Sequence, residues 1–398
     1  MKQNVKNIIR LAAVVLALTL CVSGFSCGKA QPEQQTTQIT TAVTETTTSR
    51  ETTAAAAEST ALTETETSTE TAEPKEIFRA VDTSAFRGLY CLDYTADYAF
   101  DGFLSSGGAS DSLQLVQYGM SVFPSMKLSL SNLGYGCSAF YAASDDSRCV
   151  FGRNFDMDAK NSGSYLVVHT NPDGAYESFS TVNLKFIGIN GAPEAPGDET
   201  SPLLFSPYVP LDGINEKGVS IGVLQLDFAE ISQNDAEKID MTSTSIIRYV
   251  LDYAASTDEA IKIFEECNLH TEGFAYHYMI GDANGNGAVI EYVNGKLVTK
   301  RFNTSDGGAL VCANSFVTDE GVKTYGKASA DSSKRMAAIV SALEKCGFDI
   351  SVENALHALY SGSQTTTRWS VVFDCTNRTM DIAVNRNTSK FYKFSFEE

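Results

Sequence analysis

The sequence predicts an α+β fold in which antiparallel sheets are covered by helices on one face each. From about residue 76 onwards, short apolar runs alternate with turns rich in Gly, Asn and Asp, which is typical of antiparallel strands. Between these runs lie a few segments whose apolar residues recur at helical spacing. Many strands with few amphipathic helices favour sheets packed against helical layers. The roughly 320 residues of this part are enough for one large domain or two small ones.

The predicted strands are short apolar or alternating segments bounded by turn residues. Two pairs of strands are joined as hairpins by turns at 282–287 and 376–379. The predicted strands are 137–143, 148–155, 165–170, 219–227, 276–281, 288–292, 297–302, 309–314, 369–374 and 380–384.

Helices are predicted between these strands. Apolar residues repeat at helical spacing over 246–254. Ser256 and Glu259 have the spacing of a capping box in front of a second helix. A third helix is predicted over 333–346, where a glycine follows as the stop signal, and a fourth over 352–360.

Residues 1–27 are predicted to be a signal peptide. A basic start precedes an apolar stretch, 11–22, which has signal-peptide length and is too short for a comfortable membrane span. The segment ends at Ser26-Cys27, which resembles a bacterial lipoprotein signal whose cysteine is lipidated and becomes the new N-terminus. We therefore expect export and anchoring to the outer face of the bacterial cell membrane through Cys27, with simple secretion as the alternative.

Residues 28–75 are predicted to form a disordered stalk. Thr, Glu, Ala and Ser dominate this stretch, and it contains no aromatic residue. Such a composition cannot bury enough apolar surface to offset the entropy of ordering the chain. The net charge of the whole chain is −19, so nucleic acid is not an expected partner.

The cysteines and the short motifs do not predict a metal or a cofactor. Seven cysteines follow residue 27, and none is arranged as C-x-x-C, so a zinc site is not expected. The chain contains no G-x-x-x-x-G-K-[ST] or H-E-x-x-H motif. An odd number of cysteines suits one reactive thiol plus pairs, and the sequence leaves the pairing open.

Cys137 is the first candidate for chemistry. It follows a Gly-Tyr-Gly turn and opens an apolar strand, so it could be an ordinary core thiol. It could equally be a nucleophile at the tip of a hairpin whose second strand ends in GRNFD, which would bring Arg153 and Asp156 beside it. Taken singly, Asn215 in DGINEKG and Asn314 in CANSF are each explained as turn or strand-end residues.

The order of these motifs is more informative than any one of them. Cys137, GRNFD, DGINEKG, HYMIGDANGNGAVIEY, CANSF and SSKRMAAI follow one another along the chain. This series resembles the choloylglycine hydrolase family of linear amide C–N hydrolases, which includes bile-salt hydrolases and penicillin V acylases. The resemblance runs from Cys137 to about residue 394. It implies an N-terminal nucleophile hydrolase, with the four-layer αββα sandwich of two antiparallel sheets between helical layers.

The resemblance also implies roles for individual residues. Cys137 matches the family's nucleophile, which acts only as the first residue of its chain, and Arg153 and Asp156 match its GRN-x-D motif. Asn215 and Asn314 match the asparagines of the oxyanion hole and of N-terminal positioning. One further residue, Arg335 of SSKRM, matches a second active-site arginine, with Arg368 as a weaker competitor.

Elementary chemistry agrees with these roles. A free cysteine has a pKa of ~8.5, so only a small fraction is thiolate at neutral pH. An unblocked α-amino group, with a pKa of ~7.7–8.0, can act as base for its own thiol. Nearby guanidiniums would favour the thiolate further. Neutral amide donors are suited to the oxyanion that forms when a thiolate attacks an amide.

One feature departs from the bile-salt hydrolases. In this chain 136 residues precede the cysteine, so the amine must be freed by cleavage between Gly136 and Cys137. Residues 76–136 are too apolar for a stalk, and we expect them to form a pro-segment packed on a catalytic domain of residues 137–398. This layout resembles the acid-amidase and acyltransferase relatives, whose two fragments stay together.

The sequence therefore predicts an exported cysteine amidase that cleaves a linear carboxamide through an acyl-thioester on Cys137. An N-acyl amine, an N-acyl amino acid, a bile salt or a penicillin-like amide would be the substrate, without a cofactor. A peptidase or acyltransferase on the same fold is one alternative, and a catalytically inactive surface-binding lipoprotein is another. His277 lies in an alternating strand and is expected to be structural rather than a base.

Overall fold

The structure, a computed structural model of the chain, describes residues 77–85, 87–94, 97–131, 134–196, 200–226, 228 and 230–396. The predicted signal peptide and stalk lie outside these residues. Within them, the strands are β1 (Ile77–Asp82), β2 (Leu89–Tyr94), β3 (Gly136–Ala143), β4 (Cys149–Asp156), β5 (Tyr165–Thr170), β6 (Ser178–Asn183), β7 (Asp212–Asn215), β8 (Ser220–Leu226), β9 (Ile239–Thr242), β10 (Cys267–His270), β11 (Ala275–Gly281), β12 (Asn286–Val293), β13 (Lys296–Asn303), β14 (Ala309–Cys312), β15 (Thr367–Asp374), β16 (Thr379–Val384) and β17 (Tyr392–Ser395).

Within the same residues, the helices all lie between strands along the chain. They are α1 (Phe100–Ser105), α2 (Ser112–Val122), α3 (Ser245–Tyr253), α4 (Thr257–Glu266), α5 (Asp319–Tyr325), α6 (Ala330–Lys345) and α7 (Val352–Ser361). No helix in the described part of the chain is both long and apolar enough to cross a bilayer.

The strands form two large sheets. The first has nine strands in the order β1-β2-β5-β6-β7-β8-β11-β12-β13, and all its pairs are antiparallel except β2 with β5. The second has six strands in the order β14-β3-β4-β15-β16-β17, and all its pairs are antiparallel. The predicted hairpins β11–β12 and β15–β16 are confirmed.

The two sheets lie face to face between helices. Strand β3 packs on β8 and β11 of the first sheet. Helices α3 and α4 cover the outer face of the first sheet, where they contact β7, β8, β11 and β12. Helices α6 and α7 cover the second sheet through β3, β4, β14 and β15. The predicted four-layer αββα sandwich is therefore confirmed.

Glycines in the first sheet make room for large side chains of the second. A Cβ atom at Gly222 of β8 would lie 2.7 Å from Cδ of Arg153. A Cβ atom at Gly281 of β11 would lie 2.3 Å from the Tyr141 ring. Both distances are shorter than any van der Waals contact. The absence of a side chain at Gly222 is thus what allows Arg153 of β4 to reach across the interface.

Side-chain caps determine where the helices begin. Ser256 accepts a hydrogen bond from the backbone N–H of Glu259, which confirms one half of the predicted capping box. Helix α6 begins three residues before its predicted start, because Ser329 caps it by accepting from the N–H of Ser332. The earlier start places Arg335 inside the helix rather than at its first turn.

The described residues before β3 belong to the same layers. Strands β1 and β2 form one edge of the first sheet. Aromatic side chains of α1 and α2 pack on Tyr208, with ring centroids 5.7 Å away for Phe103 and 6.1 Å away for Tyr118. The hydroxyl of Tyr98 donates to both oxygens of Asp252 in α3, at 2.9 and 3.0 Å.

Candidate active site

Cys137 is the second residue of β3 and has no exposed surface. Its register partner on β4 is Phe155, and the next pair along the same face is Ala139 with Arg153. Because partners across an antiparallel pair point to the same face, the thiol and the Arg153 side chain both point towards the first sheet. The thiol therefore lies between the two sheets.

Arg153 joins the thiol to the first sheet. Its Nη2 atom donates to Sγ of Cys137 at 3.1 Å and to the carbonyl oxygen of Val223 at 2.6 Å. Its Nε atom donates to the same carbonyl at 3.2 Å, and its Nη1 atom forms an ion pair with Asp212. Neither charged side chain has exposed surface. The guanidinium is thus held by the Val223 carbonyl and the Asp212 carboxylate of the first sheet, and its Nη2 atom also contacts the sulfur.

Asp212 is a site residue that the sequence analysis missed. Besides Arg153, its carboxylate accepts hydrogen bonds from the Thr181 hydroxyl and from Nε1 of Trp369, the latter at 3.2 Å. Burial raises the pKa of Asp212, and the charge of Arg153 opposes that rise. These donors satisfy a carboxylate with no access to water.

Asp156 and Arg335 form a second ion pair on the face of the second sheet that is covered by α6. Since Asp156 is three residues after Arg153, its side chain points to the opposite face of the strand, towards α6. Its two oxygens accept from the Thr367 hydroxyl at 2.5 Å and from Arg335, respectively. Burial raises the pKa of Asp156, and Arg335 opposes the rise. Arg335 also donates to the carbonyl of Gly362 at 2.9 Å.

Asn314 holds the backbone nitrogen of Cys137. Its Oδ1 atom accepts from that N–H at 3.0 Å and from Nη1 of Arg335 at 3.1 Å. Its Nδ2 atom donates to the carbonyl oxygen of Gln225 at 2.7 Å. The nitrogen and the sulfur of Cys137 are thus contacted by different residues: Asn314 from one side and Arg153 from the other.

The thiol of Cys137 is in its neutral form in this uncut chain. Burial raises its pKa to about 12, although the charge of Arg153 acts in the opposite direction. Arg153 and Arg335 both lower the pKa of the thiol, as expected of nearby guanidiniums, but burial outweighs them in this state. Each guanidinium is neutralised by its own carboxylate, and the sulfur has lost its contact with water.

Gly136 lies beside the carboxylate of Asp156 and the side-chain amide of Asn314. It is the register partner of Asp156. A Cβ atom at this position would lie 3.4 Å from Oδ2 of Asp156 and 3.5 Å from Oδ1 of Asn314. A glycine fits this position without crowding the groups that contact the Gly136–Cys137 peptide.

Asn215 is not brought to this cluster. Its two amide hydrogens donate to the carbonyl oxygens of Leu251 and Ala254, at the end of α3, at 3.0 and 2.8 Å. Its Oδ1 atom accepts from the N–H groups of Lys217 and Val219. The predicted oxyanion role of Asn215 is not compatible with these contacts, which engage both donors. Asp212 and Asn215 lie three residues apart on β7, so their side chains point to opposite faces of the sheet. Asp212 points towards Arg153 and the cluster, and Asn215 therefore points away from it.

His277 is buried and contacts two acceptors, as expected for a structural histidine. Its ring nitrogens lie 3.3 Å from Oε1 of Glu291 and 2.7 Å from the carbonyl oxygen of Ala313. Glu291 also accepts from the N–H groups of Val317 and Thr318. This network therefore holds both ends of the turn that carries Asn314.

Arg368 does not compete with Arg335 for the second cationic position. It donates through Nε to the carbonyl of Met157. Arg335, in contrast, contacts both Asp156 and Asn314. The predicted preference for Arg335 agrees with this geometry.

Comparison with known proteins places most of this site in a recognised family. Residues 142–389 match the family described as acyl-coenzyme A:6-aminopenicillanic acid acyl-transferase. The match begins just after Cys137 and includes both arginines and Asp156. A curated penicillin V acylase from Pectobacterium atrosepticum is 34% identical over 98 residues, which are 22% of this chain. That alignment spans about a quarter (26%) of the relative's length.

Solved structures overlap this fold at low identity. A penicillin V acylase from Agrobacterium tumefaciens has a TM-score of 0.47 at 18% identity, over 62% of this chain and 83% of its own. A mutant conjugated bile acid hydrolase from Clostridium perfringens has a TM-score of 0.48 at 15% identity, over 65% and 92%. An N-acylethanolamine-hydrolyzing acid amidase ortholog from Caenorhabditis elegans has a TM-score of 0.40 at 16% identity, over 60% and 93%.

The family match covers more than half of the chain and contains the strands β4, β7 and β8 and helix α6, which carry the cluster. The chain therefore belongs to the acyl-coenzyme A:6-aminopenicillanic acid acyl-transferase family.

Proposed function

We propose that this protein is an amide hydrolase whose nucleophile is Cys137, acting through an acyl-thioester. The observation that carries the proposal is the double attachment of Cys137. Asn314 contacts its nitrogen and Arg153 contacts its sulfur, and each of these residues is held by further buried partners. A core cysteine needs neither contact, whereas an N-terminal nucleophile needs both its amine and its thiol in fixed positions.

The first reaction is cleavage of the chain itself. The Cys137 sulfur attacks the carbonyl carbon of Gly136, the C–S bond forms and the C–N bond breaks, and the thiol proton ends on the Cys137 nitrogen. Water then hydrolyses the thioester and releases the Gly136 carboxylate with a free thiol. Gly136 supports this step, because it has no side chain to shield its carbonyl and lies beside Asp156 and Asn314.

Cleavage changes what Cys137 can do. The peptide N–H becomes an amine with a pKa of ~7.7–8.0, which can accept the proton of the thiol. The oxygens of Asn314 and Asp156 are positioned to hold that amine. The thiolate then attacks the substrate carbonyl, the amine of the substrate leaves with the proton, and water hydrolyses the acyl-thioester. The substrate class is a linear carboxamide, such as an N-acyl amino acid, a bile-salt conjugate or a penicillin.

Asn314 is also the proposed donor to the oxyanion. Only one of its Nδ2 hydrogens is directed at the Gln225 carbonyl. The second hydrogen is suited to the charge that develops on the carbonyl oxygen of a substrate attacked by Cys137. This assignment replaces Asn215 in that role.

The two fragments would stay together after cleavage. Strand β2 pairs with β5 along its whole length, the buried Phe103 of α1 packs on Tyr208, and the partly buried Tyr118 of α2 contacts the same ring. Burial of each large apolar side chain stabilises the association by roughly 1.5–3 kcal/mol. We propose that the pro-segment remains a structural part of the enzyme.

Acyl transfer is the second candidate activity. The family description names an acyl-transferase, and an acyl-thioester can react with an amine as well as with water. A peptide bond is a further linear amide that the same nucleophile could cleave. The contacts of Cys137 with Asn314 and Arg153 favour each of these catalytic roles over that of an inactive surface-binding lipoprotein.

Export and lipid anchoring are proposed from the first 27 residues alone. The lipoprotein-like Ser26-Cys27 sequence supports attachment to the outer face of the cell membrane. Incorporation of a labelled fatty acid in the producing bacterium, lost in Cys27→Ser, would support the anchor. Incorporation that persists in Cys27→Ser would contradict it.

The decisive experiment on function measures release of the amine. Purified protein is incubated with N-acyl amino acids, bile-salt conjugates and penicillin V, and the acyl-enzyme is trapped by acid quenching and located by mass spectrometry. We expect turnover, with the acyl group on Cys137, and no turnover by Cys137→Ala.

Cys312→Ala is the matched control. Cys312 is equally buried and lies on β14, which pairs with β3, but it has no part in the proposed chemistry. It should retain activity. Hydrolysis by Cys137→Ala at the rate of Cys312→Ala would overturn the proposal.

A further inference from the structure

Cys149 and Cys375 lie opposite each other at the end of the ladder between β4 and β15. The last register pair of this ladder is Val150 with Asp374, so the next pair is Cys149 with Cys375. The backbone N–H of Cys375 donates to the carbonyl oxygen of Cys149 at 2.9 Å, which continues the ladder by one pair. Both residues are buried free thiols in this structure.

The two thiols point to the same face of the second sheet. Two residues away along each strand, the rings of Phe151 and Phe373 are register partners whose centroids lie 5.9 Å apart. Because side chains alternate along a strand, Cys149 and Cys375 share the face of these rings. Sγ of Cys375 lies 3.3 Å from Oγ of Ser220 in β8, so this face meets the first sheet. Burial raises the pKa of Cys375, and negative charge on the neighbouring Cys149 would raise it further.

The spacing of this pair suits a disulfide bond. Opposed residues that share a ladder hydrogen bond have Cα atoms about 5.5 Å apart, and disulfides span about 4.4–6.8 Å. The Cβ atoms of such a pair must approach by about 1 Å for the sulfurs to bond. The ladder can narrow at this end, because the Cys149 N–H donates to the Thr376 hydroxyl at 3.0 Å instead of to a carbonyl of β15.

No other two strand cysteines in the described part of the chain have this relationship. Cys137 and Cys312 lie on adjacent strands, but Cys312 is opposite Ala139 rather than Cys137. Cys91 and Cys267 have no cysteine at the positions opposite them. The register of the strands therefore singles out one pair among the cysteines whose pairing the sequence leaves open.

We propose that Cys149 and Cys375 form a disulfide bond in the presence of a disulfide oxidant, and that this bond clamps β4 to β15. One cysteine thiolate attacks the disulfide of the oxidant, so that a mixed disulfide forms and one oxidant thiol leaves. The second cysteine thiolate then displaces the other oxidant thiol as the bond between the two cysteines forms. The two cysteines lose two electrons and two protons, which end on the two thiols of the reduced oxidant.

The bond would join two strands that carry the proposed site. Strand β4 carries Arg153 and Asp156, and β15 carries Thr367 and Trp369, which donate to Asp156 and Asp212, respectively. A link between residues 149 and 375 closes a long loop and so removes much of the conformational freedom of the unfolded chain. The proposed export would bring the chain into an oxidising compartment, where disulfides persist. The inference itself does not depend on the amidase activity.

The test uses the uncut Cys137→Ala chain, which lacks the thiol proposed to react with substrates. The protein is equilibrated in mixtures of reduced and oxidised glutathione, quenched in acid, unfolded, alkylated with N-ethylmaleimide and mapped by mass spectrometry. A second sample is refolded from urea in the same mixtures, so that glutathione reaches both thiols before they are buried. We expect the peptides of Cys149 and Cys375 to be joined and lighter by two hydrogen atoms than their sum, with the other cysteines alkylated.

Thermal unfolding measures the clamp, with the emission of Trp369, the only tryptophan, as the signal. The oxidised protein should melt about 5 °C or more above the reduced protein, since the link closes a long loop. Cys149→Ser should abolish both the linked peptide and this difference. Cys267→Ser is the matched control, because Cys267 is also a buried strand cysteine, and it should retain both.

Full alkylation of Cys149 and Cys375 at every glutathione ratio in both samples would overturn the proposal. Links from these two residues to other cysteines, as abundant as the link between them, would also overturn it. A Cys149–Cys375 link without a rise in melting temperature would overturn the clamp. The peptide map needs no substitution at either position, so poor folding of Cys149→Ser would leave the test of the bond intact.

Discussion

Arg153 of the second sheet and Asp212 of the first form an ion pair that crosses the interface between the sheets. Neither side chain has exposed surface. Arg153 reaches Asp212 because Gly222 leaves space for its methylene chain. The same guanidinium contacts the Cys137 sulfur, so the pair that joins the sheets also positions the proposed nucleophile.

Removal of Asp212 is expected to destabilise the fold. Asp212→Ala leaves a buried guanidinium without its carboxylate, which typically costs about 3–5 kcal/mol. Urea unfolding in a Cys137→Ala background, where the chain stays whole, measures the loss. Asp258→Ala removes a carboxylate from an exposed pair with Arg301 and should have almost no effect. Equal stability of the two variants would contradict the importance of the buried pair.

Asn215 should support the stability of the fold, whereas Asn314 should support catalysis. Asn215→Ala leaves two carbonyls at the end of α3 without donors, at a cost of about 1–3 kcal/mol, and should lower the melting temperature with little change in kcat. Asn314→Ala removes the contact with the Cys137 nitrogen and the proposed oxyanion donor. It should lower kcat on the order of 10²-fold. A large loss of kcat in Asn215→Ala at unchanged melting temperature would restore its oxyanion role.

Much of the fold was predictable because its central strands are continuous apolar runs. Strand β5 has the predicted bounds, and the hairpin β11–β12 follows from its Asn-Gly turn. Strand β6 was missed because its sequence, SFSTVN, is mostly polar. Its hydroxyls are nevertheless buried, where Ser178 pairs with Thr170 and Arg248. Such pairing across strands cannot be inferred from hydropathy.

The site residues that belong to recognisable sequence motifs were predictable. Cys137, Arg153, Asp156, Asn314 and Arg335 come together as the order of motifs suggested, although β4, β14 and α6 are far apart in sequence. Asp212 and Gln225 were missed because their partners come from the opposing sheet. The position of one sheet on the other depends on packing, including the small residue at Gly222, and no local pattern encodes it.

The reactivity of the Cys137 thiol should depend on cleavage. In the uncut chain its pKa of about 12 leaves roughly one thiol in 10⁴ ionised at pH 8, and the sulfur is buried. Peptide mapping after brief iodoacetamide treatment at pH 8 should find the peptide with the intact Gly136–Cys137 junction unlabelled. The peptide that begins with Cys137 should be labelled. Partly exposed Cys346 serves as the internal standard, and a junction peptide labelled as fast as Cys346 would refute the burial argument.

His277 is expected to be a positioning residue. It holds the carbonyl of Ala313, and Glu291 holds the backbone on the other side of Asn314. Burial acts against ionisation of Glu291, but the hydrogen bond from His277 lowers its pKa. His277→Leu should reduce kcat more than KM, with partial recovery in His277→Gln.

The control for this prediction is His169→Gln, at a partly exposed histidine that pairs with Asp93 and Glu177. It should leave kcat unchanged. An unaltered kcat in His277→Leu would show that the turn keeps Asn314 in place without the histidine.

The central claim is that Cys137 acts as the first residue of its chain, and intact mass spectrometry of the active protein tests it most directly. In denaturant, we expect two fragments, one ending at Gly136 and the other running from Cys137 to Glu398, which migrate together under native conditions. Cys137→Ala should give a single uncut chain. An active enzyme in which the Gly136–Cys137 bond is intact would contradict the mechanism, whatever the substrate proves to be.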